Sequence, residues 1–386
     1  MGSMPQRFAV VLAGGRSRRF GSDKLSAHTG GGTVLDVVLS SLPADVAIVV
    51  VGPRRPVTRN VLFVREDPEG GGPAAAVVAG VTAALRAGAE ELVVLPGDAP
   101  GAGGGAITLL AALGAGAAAA VGVDAAGALQ PLQVAMSRSA AERLLAAVGP
   151  DGGAQRSARS VVAALDATPV PLPRMATWDV DTPAQLAAWR VRDSAAVRTV
   201  LDVVAALPGR GLVALEGHSG VGKSTVALAV ASLSGAVVVE GDDFYSTRLP
   251  TLSPAERRAL TAADLAAEVI DWRRLREEAL EPLLAGRDAT YRPYDWEADD
   301  GRLDSPLVVR SAPVLLLDGV YSARPELADL VDAEVFLEAP WETRLRRLVE
   351  RDEADAVWDA LWAAAEEHYF SRVRPRSSFA VRVATA

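Results

Sequence analysis

The sequence predicts a protein of two α/β domains, each with a mainly parallel sheet flanked by helices. Short apolar runs alternate with helical patterns, which is typical of parallel strands joined by crossover helices. Two of these runs lead into glycine-rich loops that hold Lys24 and Lys223, the only two lysines among 39 basic residues. Inside a tight loop, a compact ammonium fits beside a phosphate better than a planar guanidinium does. We therefore expect two nucleotide-phosphate sites, one in each domain.

The first half contains the elements of one such domain in order. Strands are expected at residues 8–12, 47–51, 62–64 and 91–95, and residues 73–86 have helical spacing with Pro73 in the first turn. The segment WDVDTPAQLAAW follows at residues 178–189. Here we expect a short strand, then Thr182 as the cap of a helix that begins at Pro183.

The second half repeats the pattern after a connecting helix at residues 193–207, which ends at Pro208-Gly209. A strand at 212–216, the second glycine-rich loop and a helix at 224–234 follow in order. Further strands are expected at 237–240, 314–317 and 334–337. The predicted division is a first domain at residues 1–192, a linker helix at 193–208 and a second domain at 209–386.

Composition excludes several other classes of protein. Half of the 386 residues are apolar, which argues against disorder, and a net charge of −9 without a basic block argues against nucleic-acid binding. The chain has no cysteine, so disulfides and thiolate metal sites are excluded and a cytoplasmic enzyme is expected. Met1-Gly2-Ser3 resembles an added leader before a native Met4, and no signal peptide is expected after it.

One uncharged stretch, residues 101–123, is long enough to span a bilayer. It consists mostly of glycine and alanine, and three consecutive glycines at 103–105 would weaken a membrane helix. We predict a loop, a helix and a buried strand here, and no association with a membrane.

The first glycine-rich loop, LAGGRSRRFGSDK at residues 12–24, has the composition of a triphosphate site. Gly14 and Gly15 have no Cβ to keep a nucleotide away from the backbone. Positive charge comes from Lys24 and three arginines, Arg16, Arg18 and Arg19. Asp98 follows an apolar strand, at the carboxyl edge where open α/β sheets bind ligands. With Asp181 it would suit Mg²⁺, which prefers one or two carboxylates together with phosphate oxygens.

The same loop resembles the signature of the molybdenum cofactor guanylyltransferases, LAGGxSxRMGxDK, with Phe20 at the methionine position. Three further segments are similar to the family in order: EDPEGGGPAAAVVAG (66–80), PGDAP (96–100) and WDVDTPAQL (178–186). Gln130-Pro131-Leu132 also resembles a strand of that family. The resemblance covers residues 7–192 and implies a Rossmann-like nucleotidyltransferase fold. It implies an enzyme that joins GMP from GTP to the terminal phosphate of molybdopterin and releases pyrophosphate.

The resemblance also implies a role for each matching residue. Lys24 and Arg19 would hold the triphosphate, Asp67 would contact the nucleoside and Asp98 would bind Mg²⁺. The backbone cradle for the nucleotide would be formed by Leu12, Ala13, Gly14 and Gly15. Phosphoryl transfer of this kind depends on positioning and charge neutralisation. Possible further partners are the proteins that mature molybdenum enzymes.

Two positions depart from that family. Asp181 stands where the guanylyltransferases often have asparagine. An aspartate at this position resembles the related cytidylyltransferases, so the choice between GTP and CTP stays open. After Asp98 the sequence contains GAGGGA instead of bulky apolar residues. We therefore expect the side of the pocket that binds the acceptor to be altered or mobile.

The second loop, GHSGVGKST at residues 217–225, fits the phosphate-loop pattern GxxxxGK[ST] between a strand and a helix. We call residues 217–225 the phosphate loop. Its backbone amides and the helix N-terminus would hold phosphates, Lys223 would reach the β- and γ-phosphates and Ser224 would bind Mg²⁺. The other nucleotide-binding positions of the loop are Gly217, Ser219, Gly220, Gly222 and Thr225.

Three features outside the loop favour a kinase. Asp242 follows a strand in GDDFY, where it could accept the proton of a substrate hydroxyl, and Asp318 ends another strand where it could orient magnesium. Three arginines recur on one helical face, at positions 344, 347 and 351. Arg344, Arg347 and Arg351 could close over the transferred phosphate as a lid, or they could form a solvated helix face.

This half resembles the uridine kinase and phosphoribulokinase group. DDFY matches the family's DSFY, YDW at 294–296 matches YDF, DGVY matches EGIL, and RLRRLVERD resembles its lid. The resemblance spans residues 210–382 and implies a P-loop NTPase fold, ATP as phosphate donor and Asp242 as base. It also implies an acceptor pocket lined by Tyr245 and Tyr294, with Asp271 on sugar hydroxyls. The histidine that follows YDF in uridine kinases is missing, and Asp299 stands nearby, so the acceptor is unknown.

The resulting hypothesis is a cytoplasmic bifunctional enzyme, a molybdopterin guanylyltransferase joined to a small-molecule kinase. Two alternatives remain. The second domain could be a GTP-binding adaptor of the first, because molybdenum cofactor guanylyltransferases have a partner protein with a phosphate loop. The lysine–histidine segment of that partner is absent here, and GDDFY stands in its place. Alternatively, one domain could be a non-catalytic nucleotide-binding scaffold. His218 and His368 are expected to be structural or solvated.

Overall fold

A computed structural model describes the chain at residues 6–15, 17, 19–149, 151–298, 301–350 and 356–385. The chain divides into two compact units, Met1–Arg190 and Val191–Ala386. Both have the predicted α/β architecture, with mainly parallel sheets flanked by helices. No helix within the described ranges is both long enough and apolar enough to cross a membrane.

The first unit is built on a seven-stranded sheet, counted over its described residues, in the order β3-β2-β1-β4-β6-β5-β7. Pairing is parallel except for β6, which runs antiparallel to β4 and β5. The strands are β1 Arg7–Leu12, β2 Ala47–Val51, β3 Leu62–Val64, β4 Glu91–Pro96, β5 Ala119–Val123, β6 Leu129–Ser137 and β7 Thr168–Pro171. The helices are α1 Val34–Ser41, α2 Pro73–Arg86, α3 Ala102–Gly114, α4 Arg138–Val148, α5 Ala158–Val162 and α6 Pro183–Val191, with 3₁₀ turns at Lys24–Ser26 and Arg174–Thr177.

Strand register brings the loops of this unit to one edge. Leu12 at the end of β1 lies opposite Val51 of β2 and Pro96 of β4. The glycine-rich loop and Asp98 therefore leave the sheet side by side, because parallel strands end at the same edge. Behind them, Val10, Val49 and Val94 form a buried apolar face together with residues of α2 and α4.

The second unit contains a five-stranded parallel sheet, in the order β14-β13-β8-β12-β9, and a small antiparallel pair, β10-β11, in its described part. The strands are β8 Gly211–Glu216, β9 Val237–Glu240, β10 Ala289–Tyr291, β11 Leu307–Val309, β12 Val314–Asp318, β13 Ala333–Glu338 and β14 Val381–Ala384. The α-helices are α7 Ala195–Ala206, α8 Lys223–Ser234, α9 Pro254–Ala259, α10 Ala262–Glu268, α11 Trp272–Arg274, α12 Glu281–Leu284, α13 Trp341–Val349 and α14 Ala356–His368. Short 3₁₀ turns lie at Gly241–Phe244, Leu249–Thr251, Pro325–Leu327 and Arg376–Ser378, and π-helical turns at Leu275–Leu280 and Tyr369–Val373.

Here too the register gathers the predicted residues at one edge. Asp318 lies opposite Leu215 of β8 and Glu240 of β9. It therefore stands between the phosphate loop, which follows β8, and Asp242, which follows β9.

Helix α7, expected as a linker, packs against α8, β13 and β14 and so belongs to the second unit. Ser194 caps its first turn by accepting a hydrogen bond from the Val197 N–H. Ala196, Val197 and Val200 are buried on its inner face. This apolar face explains why the helix stays with the sheet that follows it.

Two local expectations have clear outcomes. The uncharged stretch at 101–123 forms α3 and the buried strand β5, as predicted. The strand expected before Thr182 is wrong: residues 178–181 form no strand, and the Val180 N–H donates to the Asp98 carbonyl (2.8 Å) instead of joining a ladder. The helix that begins at Pro183 is present, and the Thr182 hydroxyl accepts from the Gln185 N–H (3.2 Å).

Candidate active sites

In the first unit the ends of β1, β2 and β4 lie so close together that Gly52 and Gly97 leave no room for a Cβ. A Cβ at Gly97 would lie 2.7 Å from the Leu12 carbonyl oxygen, and one at Gly52 would lie 2.5 Å from the Ala13 oxygen. By contrast, Gly14 and Gly15 face open space, and Gly15 has a positive φ of 111°. The loop backbone from Leu12 to Gly15 is therefore fixed from behind and accessible in front.

Lys24 lies between two carboxylates at this edge. Its Nζ donates to Asp98 Oδ2 (2.5 Å) and to Asp181 Oδ1 (2.6 Å), although these residues are far apart in the chain. Burial alone would lower the pKa of Lys24, but the hydrogen bonds to Asp181 and Asp98 outweigh it and raise the pKa. Arg19 is largely exposed and approaches Asp181 at 3.8 Å. The structure thus brings together four of the predicted site residues.

Asp179 lies beside this group and had not been predicted from the sequence. Desolvation by neighbouring atoms and the charges of Asp98 and Asp181 raise the pKa of Asp179 to about 7, although much of the residue is exposed. This edge of the sheet therefore concentrates negative charge, which a cation must balance.

The position of Lys24 is set by its neighbour Asp23. Asp23 caps the 3₁₀ turn that begins at Lys24 by accepting from the Leu25 N–H. Arg55 pairs with Asp23 (Nε–Oδ2 2.7 Å), and the same guanidinium donates to the Ala13 carbonyl (2.8 Å). The Arg55 interaction lowers the pKa of Asp23. A groove of about 350 Å³ opens beside Gly15, Ser17 and this arginine. Arg55 thus ties both ends of the glycine-rich loop together.

The glycine run after Asp98 forms the first turns of α3. A Cβ at Gly103 would lie 2.3 Å from Ser41 Oγ and 2.4 Å from the Ser41 carbonyl oxygen, whereas one at Gly104 would meet nothing within 4 Å. A Cβ at Gly101 would lie 2.1 Å from the Met175 carbonyl oxygen. The run therefore allows α3 to pack tightly against α1 and the Arg174–Thr177 turn. Asp67, the predicted nucleoside contact, is exposed in the turn before α2.

In the second unit the phosphate loop has the expected backbone form. Gly220 and Gly222 have positive φ values of 77° and 95°, and Gly217 has φ 145°. The Lys223 ammonium is buried and donates to the carbonyl oxygens of Gly217 (2.8 Å) and His218 (3.2 Å). Ser224 is exposed and Thr225 half-buried in the first turn of α8. This places the predicted nucleotide-binding groups in one continuous loop.

Asp242 and Asp318 lie on adjacent strand ends beside this loop. Gly241 and Gly319 are in contact, since a Cβ at Gly319 would lie 3.4 Å from the Gly241 Cα. Asp318 is buried, whereas Asp242 is exposed. The adjacent Asp243 accepts a hydrogen bond from the Tyr291 hydroxyl (2.9 Å). The first aspartate of GDDFY is therefore directed to solvent, and the second is held by the fold.

Three aromatic residues cluster beside the turn that contains Asp242, since the Tyr245 N–H donates to the Asp242 carbonyl (3.1 Å). Tyr245, Tyr294 and Trp296 have ring centroids 4.8–4.9 Å apart, in tilted or edge-on arrangements. Both tyrosines are buried and the tryptophan is half exposed. Asp271, predicted to bind sugar hydroxyls, caps α11 by accepting from the Arg274 N–H (3.2 Å) and is half-buried, and its role toward a sugar stays a prediction.

The arginines of α13 contact the phosphate loop through its carbonyl oxygens. Arg344 Nε donates to the Ser219 carbonyl (2.9 Å), and Arg347 donates to those of Gly220 (3.2 Å) and Val221 (2.9 Å). Arg344 also pairs with Glu366 of α14 (3.2 Å). In this structure, these two arginines brace the loop. Arg16, Arg18, Asp299 and Arg351 lie outside the described residues.

Glu366 is buried at the tip of the loop and makes several contacts there. Its carboxylate accepts from the Ser219 N–H (2.9 Å), the Ser219 hydroxyl and the Trp362 indole N–H (3.0 Å). His218 packs against Phe370, with ring centroids 4.3 Å apart. Burial and the charge of Arg344 lower the pKa of His218 to about 4, so the imidazole is neutral at pH 7. A structural role for this histidine fits its packing.

Both predicted magnesium sites have oxygen donors that suit the ion. In the transferase domain, Asp98 and Asp181 converge on the ammonium group of Lys24. In the second unit, Asp318 offers a carboxylate and Ser224 a hydroxyl. Mg²⁺ prefers such oxygen ligands and usually completes its shell with phosphate and water. Within the described part of the chain, no three acidic, histidine or cysteine side chains are grouped closely enough to hold a metal ion.

Comparison with known proteins assigns each unit to a family. Residues 9–168 match the MobA-like NTP transferase domain, and residues 212–376 match the phosphoribulokinase/uridine kinase family. The molybdenum cofactor guanylyltransferase of Acidiphilium cryptum is 36% identical over 148 residues, which are 37% of this chain and 74% of that protein. The chain belongs to that transferase family. Its second half is a phosphoribulokinase/uridine kinase family domain.

Further relatives match one half each. A uridine kinase of Halobacterium salinarum is 26% identical over 166 residues, or 42% of this chain and 71% of that protein. A probable molybdenum cofactor guanylyltransferase of Mycobacterium avium is 35% identical over 105 residues, 26% of this chain, and the match spans about half (53%) of that protein. The transferase and kinase families are thus joined in one chain.

Several residues of the two domains had not been foreseen from the sequence. In the transferase domain, Arg55 lies in a loop with no motif, and only the folded sheet brings it to Ala13. In the kinase-family domain, Glu366 reaches the phosphate loop from a distant helix. Glu216 was detectable, because it ends the apolar strand LVALE immediately before the loop.

Proposed function

We propose that the transferase domain transfers GMP from GTP to molybdopterin and releases pyrophosphate. The observation that carries the proposal is the position of Lys24, between Asp98 and Asp181 at the edge where the glycine-rich loop leaves the sheet. An oxygen of the acceptor phosphate would form a bond to the α-phosphorus, and the bond from that phosphorus to the departing pyrophosphate would break. The name of the Acidiphilium relative supports this choice of substrates.

In this proposal the chain supplies positioning and charge. The backbone of Leu12, Ala13, Gly14 and Gly15 cradles the nucleotide, Lys24 and Arg19 hold its phosphates, and Asp67 contacts the nucleoside. Asp98 and Asp181 would hold Mg²⁺, which when bound neutralises charge on phosphate oxygens. Such preorganised charges stabilise the transition state without reorganising during the reaction.

Asp181 contacts Lys24 and Arg19, the two residues proposed to hold the phosphates. We therefore expect its identity to affect metal and phosphate binding more than the choice of base. The test is pyrophosphate release by the intact chain with molybdopterin, Mg²⁺ and either GTP or CTP. GTP should be preferred, and Asp181→Asn should change the Mg²⁺ dependence while keeping that preference. An equal or greater rate with CTP would rule out the guanylyl assignment.

We propose that the second domain is an ATP-dependent kinase of a small molecule that carries a hydroxyl. The observation that carries this proposal is the alignment of Asp242 and Asp318 on strand ends beside the phosphate loop. The acceptor oxygen would attack the γ-phosphorus, its proton would pass to Asp242, and the bond to ADP would break. Lys223 would hold the β- and γ-phosphates, and Tyr245, Tyr294 and Trp296 would contact an apolar or planar part of the acceptor.

The same site tests the adaptor alternative. The intact chain is screened for ADP formation with ATP and a panel of nucleosides, sugars and pterins, and ATP binding is measured separately. Lys223→Ala should weaken binding. Asp242→Asn should preserve binding and slow transfer by about 10²–10⁴-fold, because it removes the base. Asp243→Asn is the matched control, since an asparagine still accepts from the Tyr291 hydroxyl. Full transfer by Asp242→Asn would refute the kinase mechanism.

A further inference from the structure

A glutamate with no access to solvent ends the central strand of the kinase-family domain. Residues of β8 are buried throughout, and Glu216 is 0% exposed. Its Oε1 accepts from the backbone N–H groups of Gly217 (3.0 Å) and Tyr321 (3.1 Å). Its Oε2 accepts from the Ala323 N–H (3.0 Å) and the Tyr369 hydroxyl (3.3 Å). A buried carboxylate is costly unless its oxygens are bonded in this way, so the position serves more than strand packing.

These bonds join three segments that meet at the nucleotide site. Gly217 begins the phosphate loop, Tyr321 and Ala323 belong to the segment that follows Asp318, and Tyr369 lies in the π-helical turn after α14. The Ser322 hydroxyl adds a bond from the same segment to the Leu215 carbonyl (2.9 Å). The end of β8 is thus fastened to residues 321–323 on several sides.

The backbone of that segment needs such fastening. Tyr321 has φ 69°, in the left-handed region that residues other than glycine rarely adopt. A residue in this conformation persists only where the surroundings hold it. The bond from the Tyr321 N–H to Glu216 is one such restraint, only three residues after Asp318.

We propose that Glu216 is a positioning residue of the nucleotide site, which sets the place of Asp318 relative to the phosphate loop. This inference rests on the proposed roles of the loop in nucleotide binding and of Asp318 in binding Mg²⁺. Groups that hold metal ligands in place typically change metal affinity about 10–100-fold when they are substituted.

Replacement by glutamine would test the arrangement selectively. A glutamine has one accepting oxygen, which can keep the bonds from Gly217 and Tyr321 at the Oε1 position. Its amide nitrogen would then face the Ala323 N–H, so one donor would oppose another, while the Tyr369 hydroxyl could turn to accept. The phosphate loop would keep its restraint, and the segment after Asp318 would lose one.

The experiment measures the affinity of the intact chain for a fluorescent ATP analogue, with and without Mg²⁺. In Glu216→Gln the affinity without metal should stay within about 2-fold, and the gain in affinity on adding Mg²⁺ should fall about 10-fold or more. Glu277→Gln, an exposed acid in the π-helical turn at Leu275–Leu280, is the matched control and should keep the full gain. Ser322→Ala releases the same segment at another point and should reduce the gain in the same direction.

An undiminished Mg²⁺ gain in both Glu216→Gln and Ser322→Ala would overturn the inference. So would an equal loss of affinity with and without Mg²⁺ alongside a lower melting temperature, since that pattern indicates a purely structural role. If Glu216→Gln does not fold, Ser322→Ala decides between these outcomes. Absence of nucleotide binding by the unsubstituted chain would refute the proposed function itself, and the inference with it.

Discussion

Replacing Lys24 tests the transferase site most directly, because two carboxylates converge on its single ammonium nitrogen at 2.5 and 2.6 Å. Lys24→Ala would leave Asp98 and Asp181 facing each other without that cation, at an edge that also holds Asp179. Removing one charged group from a preorganised phosphate site costs about 2–4 kcal/mol of transition-state stabilisation. At about 1.4 kcal/mol per factor of ten, this corresponds to a fall in rate of about 30–1,000-fold.

Lys24→Arg adds a sharper test of shape. A guanidinium keeps the charge but spreads its donors over several atoms in a plane, so it cannot reproduce two bonds to one point. We therefore expect the arginine variant to lose at least about 10-fold in rate as well.

The assay is pyrophosphate release by the intact chain under saturating GTP and molybdopterin. Arg7→Ala is the matched control. Arg7 begins β1, at the end of the strand opposite the glycine-rich loop, and pairs there with Glu91 of β4 (2.8 Å). The variant removes a partly buried cation from the sheet without touching the loop, so the rate should be unchanged. An unaffected rate in Lys24→Ala would show that this lysine has no role in the reaction.

Three further predictions concern stability. Gly103→Ala should lower the free energy of unfolding by about 1–3 kcal/mol, because the new Cβ would overlap the backbone of Ser41. Gly104→Ala, where the Cβ would meet nothing, should raise the free energy of unfolding by about 0.5–1 kcal/mol. Urea unfolding that changes stability in the same direction in both variants would contradict this packing. Glu366→Ala should lower stability by about 3–5 kcal/mol, since it leaves a partly buried arginine without its partner, and a melting temperature equal to that of the unsubstituted chain would refute this. Burial raises the pKa of Glu216 to about 7, so the stability that its proton contributes is present below pH 4.5 and is lost as pH rises toward 7. Relative to Glu216→Gln, the unsubstituted chain should lose up to about 1.4 kcal/mol per pH unit across that window in urea unfolding, and a difference independent of pH would contradict the titration.

Much of the fold could be predicted from local sequence because its signals are local. The strands at 47–51, 62–64 and 237–240 are apolar runs with clear ends, and the structure confirms their bounds. The helix at 73–86 is likewise confirmed, since Pro73 fixes its start and apolar spacing carries it to Arg86. The strand expected at Trp178 and Val180 is wrong because alternating burial has the same pattern in an extended segment that pairs with no strand.

The sites were predictable to a different extent. Lys24 and Asp98 could be grouped, because each follows a recognisable loop or strand and parallel strands end together. Asp181 was grouped with them through a motif, although the strand expected before it does not form. Arg55 and Glu366 could not be, because their roles depend on contacts between segments that are far apart in the chain. No local sequence pattern predicts such contacts, whereas loop glycines and acids at strand ends can be recognised from the residues next to them in the sequence.

The two lysines have a consequence for covalent labelling. Their side chains are engaged, Lys24 by two carboxylates and Lys223 by loop carbonyl oxygens, and both are largely inaccessible. Reagents directed at primary amines, which on most proteins scatter over the surface, have no other side chain to modify here. Any acylation of a lysine would therefore mark Lys24 or Lys223, and a peptide map would show which of the two proposed nucleotide sites had become accessible.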